Sequence, residues 1–120
     1  MLASTLLVAT LSAFFAGTSA APAPAPNPNT RYAQLRLYGK PGCSELNLGE
    51  LGVYGDKVNQ CQTFGDTDVI RSLALQYNPY GCKLHIYSDV TCHLDRHDVP
   101  LNQCLSGDKQ YRSYKLDCKV

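Results

Sequence analysis

The 120-residue chain has no tryptophan, and its single methionine is residue 1. It lacks an Asn-x-Ser/Thr acceptor, so no N-linked glycan is expected. It lacks a basic run: 11 Lys and Arg against 10 Asp and Glu leave a net charge of +1, with the two signs interspersed. Electrostatic binding to nucleic acid or to an anionic membrane is therefore not expected. No stretch shows ten or more residues of helical periodicity. The richest candidate, Asp68 to Gln76, reads equally well as a strand. Gly-x-Ser-x-Gly and a phosphate-cradling glycine loop are both missing. Carboxylates for glycoside hydrolysis would have to come from Glu45, Glu50, Asp95 or Asp98, and nothing in their spacing sets them apart from surface residues. A catalyst is not expected, nor is a cofactor.

What is present begins with a short apolar run, Leu6 to Phe15, followed by Thr18-Ser19-Ala20. The run is too short to span a bilayer and reads as a secretory signal peptide over residues 1–20, although no Lys or Arg precedes it. Residues 21–31 open with alternating alanine and proline, which favours an extended, solvated spacer or propeptide. One domain, 32–120, remains, small enough that its core alone gives marginal stability. All six cysteines lie in it, and their even number fits three disulfides made in an oxidising compartment. The product is expected to be secreted, extracellular, soluble and monomeric.

The domain repeats itself. Tyr38 and Cys43 are echoed by Tyr87 and Cys92, Val58-Asn59-Gln60-Cys61 by Leu101-Asn102-Gln103-Cys104, and Arg71-Ser72 by Arg112-Ser113. Three landmarks in one order indicate two copies of one supersecondary unit, 32–77 and 82–118. Leu35 and Leu37, Leu73 and Leu75, Leu84 and Ile86, and Tyr114 and Leu116 alternate with polar residues as half-buried strands do. Turn residues fall between them, with Asn78-Pro79-Tyr80-Gly81 at the junction. Four short strands per copy predict a Greek key. Two such keys predict an all-β sandwich. If both copies fold alike, Cys43 pairs with Cys61 and Cys92 with Cys104. Cys82 and Cys118, which have no counterparts in the first copy, then pair with each other.

These features resemble the βγ-crystallin superfamily, in which an aromatic residue and a turn open each Greek key and a Ser-Ile-Arg-Ser-like segment opens its last strand. Tyr38-Gly39 and Tyr87-Ser88 resemble the first element. Val69-Ile70-Arg71-Ser72 and Gln110-Tyr111-Arg112-Ser113 resemble the second. Tyr87-Ser88-Asp89-Val90-Thr91-Cys92 is also similar to a segment of small secreted fungal proteins of this kind, including apoplastic effectors of plant pathogens. The resemblance implies a non-catalytic effector or virulence protein that binds a host or microbial protein or glycan. A killer-toxin or antimicrobial role, a protease inhibitor and a carbohydrate-binding module are its rivals.

Many members of that superfamily bind Ca²⁺. Here the usual serine or threonine is replaced by Val69 and Gln110, leaving only Asp66, Asp68 and Asp108 as weak ligand candidates. His93, Asp95 and His97 are a second cluster of metal-ligand type, read by default as a solvated loop. Eight tyrosines suggest a stacking surface, with Tyr32, Tyr54, Tyr77 and Tyr80 the least accounted for by the fold. Tyr77 and Tyr80 are expected to pack at the junction. The predicted binding surface is the hairpin Lys40-Pro41-Gly42 with the unequal loops Ser44–Lys57 and His93–Pro100.

Overall fold

A computed structural model describes residues 26–119. The expected signal peptide and residues 21–25 of the spacer lie outside the described residues. Eight strands follow in order: β1 (Arg31–Tyr38), β2 (Asn47–Tyr54), β3 (Cys61–Thr63), β4 (Ile70–Tyr77), β5 (Lys83–Tyr87), β6 (His97–Val99), β7 (Cys104–Tyr111) and β8 (Ser113–Asp117). They form two four-stranded sheets ordered β2-β1-β4-β7 and β3-β8-β5-β6, antiparallel throughout.

Each copy therefore supplies four strands, as its turn signals predict, but keeps only three of them. The third strand of each copy crosses into the other sheet: β3 pairs with β8, and β7 pairs with β4. The two Greek keys are interleaved instead of standing face to face as separate units.

Period-two alternation places Leu35, Leu73 and Leu75 of the first sheet against Leu84, Ile86 and Leu116 of the second, all essentially inaccessible. Val53, Val58, Ile70, Val99, Tyr111 and Tyr114 close the same core. Burying a side chain of this size contributes about 1.5–3 kcal/mol, so the shared core is the main reason the two motifs hold together.

The segment Ser44–Lys57, expected as a loop, is mostly the eight-residue strand β2 at the edge of the first sheet. Gly49, Gly52 and two register shifts against β1 hide its alternation, yet Leu51 and Val53 pair opposite Leu35 and Ala33. His93–Pro100 likewise contains the edge strand β6. Residues 27–30, assigned to the spacer, form a turn in which Thr30 N–H donates to Asn27 O. That turn lies directly on Gly55, where any Cβ would collide with the Asn27 carbonyl.

The cystines correct the sequence reading. Cys43 is bonded to Cys104 and Cys61 to Cys92, so both bridges run between the copies; Cys82–Cys118 stands as expected. The exchanged strands explain this. Cys104 on β7 sits opposite Ala74 in the first sheet, and Cys61 on β3 sits opposite Lys115 in the second. Each of these cysteines is thereby carried away from its own copy's hairpin and set beside the other's. Pseudo-twofold equivalence survives, because exchanging Cys43 with Cys92 and Cys61 with Cys104 turns one bridge into the other.

Candidate functional site

The repeated residues are spent on holding the hairpins. Ser72 is fully buried, donates to Lys40 O at 2.6 Å and accepts from Cys43 N–H at 2.9 Å. Its equivalent Ser113, equally buried, donates to Asp89 O at 2.5 Å. Asn59 and Asn102 donate through their backbone N–H to Leu116 O and Leu75 O. Cys43 and Cys92, Leu46 and Asp95, and Asn59 and Asn102 form three equivalent pairs with φ between 54° and 63°. Asparagine and aspartate tolerate the left-handed region, whereas leucine at 46 is uncommon there and is held by the surrounding turn. Gly39 N–H and Ser88 N–H close the two turns onto Leu46 O and Leu94 O. These motifs are structural, and the rigid hairpins they make leave the outer surfaces as the candidate sites.

The outer face of the first sheet carries an aromatic platform. Arg31 pairs opposite Tyr54 across β1 and β2, and its guanidinium stands 4.9 Å above the Tyr77 ring of β4. Gly52, between them, has no side chain, so the Arg31 stem and the Tyr54 ring drape over it. Tyr80, in the turn before β5, packs at a tilt against the core residue Tyr32, with centroids 4.9 Å apart. Tyr54, Tyr77 and Tyr80 remain 41%, 39% and 57% exposed, so they are held in place but available. Tyr77 and Tyr80 do pack near the junction as expected, Tyr77 under Arg31 and Tyr80 against Tyr32. Arg36 and Glu50 form an ion pair lower on the same face.

On the second sheet, His85 is 6% exposed although it points away from the core. Its Nδ1 lies 2.6 Å from Asp98 Oδ1 and its Nε2 2.8 Å from Asp117 Oδ2. Arg96 makes a two-pronged contact with Asp98, and Lys115 lies 3.5 Å from Asp117. Arg96 and His85 together hold the Asp98 carboxyl well below the usual carboxylate range, and Arg96 has the larger effect. With both ring nitrogens engaged by carboxylates, His85 ties β5 to Asp98 of β6 and Asp117 of β8.

A cleft of about 440 Å³ opens beside it, between the turn before β6 and strand β7. Asp95 there accepts from Ser88 Oγ at 2.7 Å and from Lys109 Nζ at 2.9 Å. These contacts, the lysine's first, lower its carboxyl pKa. His97 stands edge-on to Tyr111, with centroids 5.8 Å apart. Gly107 leaves room for the Tyr111 hydroxyl, which would lie 2.8 Å from any Cβ there. Burial raises the Tyr111 phenol above its ordinary value, helped by Asp108.

The three weak Ca²⁺ candidates do not form a convergent group among the described residues. Asp66 and Asp68 are exposed in the β3–β4 connection, and Asp108 lies on β7, where its carbonyl accepts from Arg71. His93 bonds Thr91 at the hairpin, whereas His97 faces the cleft. Among the described residues no group of three or more His, Cys, Asp or Glu side chains converges as a metal site. The six cysteines are all bonded. The His85 clasp and the Arg31–Tyr77 stack were missed from sequence, since alternation tells which face a residue takes but not which strands flank it. Compared with known proteins, the chain matches no family model, no curated protein and no solved structure.

Proposed function

We propose that this chain is a secreted fungal effector-type protein that acts outside the cell by binding a host or competitor protein, without catalysis. The observation that carries the reading is the Tyr54–Arg31–Tyr77 platform on a sheet whose hairpin is stapled by Cys43–Cys104. Tyrosine and arginine are the residues that most often supply the energetic centre of a protein interface. Here they are already ordered, so little conformational freedom is lost on docking. Three disulfides in a domain of this size favour an extracellular life. The paired Greek keys support the βγ-crystallin-like reading of the motifs.

The test is affinity capture from plant apoplastic fluid and from culture fluid of competing fungi, with the native protein and Tyr54→Ala/Tyr77→Ala side by side. A partner retained by the native protein and held at least about tenfold more weakly by the variant supports the platform. A partner bound equally by both removes it. A protease inhibitor is the second reading, favoured by the Lys40-Pro41-Gly42 hairpin, which Ser72, Ser106 and the cystine hold rigidly. Inhibition of a secreted protease that survives the platform variant and disappears on replacing Lys40 would establish it instead.

A further inference from the structure

We propose that the cleft between the β6 turn and β7 is a binding site for a neutral saccharide, built in the second copy only. The argument comes from comparing the two halves of the molecule. Register and the paired turns make Gly39 equivalent to Ser88, Leu46 to Asp95, Gly49 to His97, Phe64 to Gly107 and Ile70 to Tyr111. In the first copy Leu46 packs down on Gly39, and Phe64 stacks on Tyr114 with centroids 5.1 Å apart. The same positions in the second copy carry a hydroxyl, a carboxylate, an imidazole, an empty glycine and a phenol. Yet both turns put this position in the left-handed region, with φ of 56° at Leu46 and 54° at Asp95. The fold does not require the polar set, because an apolar set occupies the equivalent turn. A duplicated frame that is apolar on one side and open and polar on the other has been given a site.

The chemistry of the cleft selects the ligand class. Asp95 and Asp108 are balanced by Arg96 and Lys109, so a polyanion or a nucleic acid gains nothing there. Ser106 Oγ accepts from Gly42 N–H and keeps its own proton for a guest. Asp108 enters the hydrogen bonds of the described residues only through its carbonyl, leaving its carboxylate to accept. His97, exposed and braced edge-on by Tyr111, offers a donor, an acceptor and a ring face. Donors and acceptors side by side around a partly aromatic wall match the hydroxyl pattern of a sugar. The volume falls within the roughly 300–1,000 Å³ of small-molecule sites.

The experiment is NMR titration of ¹⁵N-labelled protein with soluble oligosaccharides of two origins. Chitin and β-1,3-glucan fragments represent a microbial wall, and arabinoxylan and xyloglucan fragments a plant wall. Saturable shifts at Ser88, Asp95 to His97 and Ser106 to Tyr111 support the site, and the responding set tells whose wall it reads. Asp108→Asn and His97→Ala are each expected to weaken that affinity about tenfold or more. Asp66→Asn in the first copy and Tyr77→Ala on the platform are expected to leave it unchanged, which separates this site from the protein-binding face. No saturable shift with any of the four sugars overturns the proposal, as does binding that Asp108→Asn leaves intact.

Discussion

Replacing Ser72 or Ser113 with alanine should reveal how much the repeated motif contributes, and the two are not equal. Each serine is fully buried and each donates to a hairpin carbonyl, Lys40 O at 2.6 Å and Asp89 O at 2.5 Å. Losing that donor takes the partner from one part-buried carbonyl, a cost of about 1–3 kcal/mol. Ser72 alone also accepts from a backbone N–H, that of Cys43, so its removal strands a second group. Ser113→Ala is therefore expected to cost about 1–3 kcal/mol and Ser72→Ala about 1 kcal/mol more. In a domain of this length each kcal/mol lowers the melting temperature by roughly 4–8 °C. Because the two sites lie in different sheets and share no partner, the double variant should lose nearly the sum. Urea unfolding at neutral pH, with disulfides intact, measures all three. Equal costs, or a Ser72→Ala variant as stable as the native protein, would refute the reasoning that these serines clamp the hairpins.

Three further outcomes follow from the same geometry. Removing one inter-copy bridge as Cys61→Ala/Cys92→Ala opens two parallel paths of about 30 residues each, one direct and one through Cys43–Cys104. The effective loop is thus about 15 residues, and thermal unfolding should show a loss of about 3 kcal/mol. Asp89, Asp95 and Asp98 all have depressed pKa values, from Thr91, Lys109 and Arg96 respectively as the largest causes. Depressed carboxylates stabilise above their unfolded value of about 4, and that stabilisation fades as pH falls below it. The melting temperature should fall on acidification in this window, and Asp98→Asn, whose side chain is largely exposed, should shallow the fall only modestly. Millimolar Ca²⁺ and EDTA should give the same melting temperature, since Asp66, Asp68 and Asp108 do not converge; a rise with Ca²⁺ would show a site the geometry lacks.

Much of the frame was legible because the repeat and the alternation are local signals. Tyr38 and Tyr87, Asn59 and Asn102, and Ser72 and Ser113 occupy matching places in both halves. Strand exchange was not legible. The pattern of Cys61-Gln62-Thr63 says that three residues are extended but not which neighbour they join. Symmetry made the cystines ambiguous for the same reason, since bridges within copies and bridges between copies are each self-consistent under the repeat. β2 was hidden by Gly49 and Gly52, the latter kept bare so that Arg31 and Tyr54 can cover it. The cleft was the least visible of all, because Ser88, Asp95, His97 and Asp108 become one surface only when β7 has crossed to the other sheet.

The cleft and the stapling of the hairpins by cystines both depend on the interleaving of the two halves, and peptide mapping under non-reducing conditions tests that most directly. The account predicts linked peptides containing Cys43 with Cys104 and Cys61 with Cys92, beside Cys82 with Cys118. Recovery of Cys43 linked to Cys61 and Cys92 to Cys104 would contradict it.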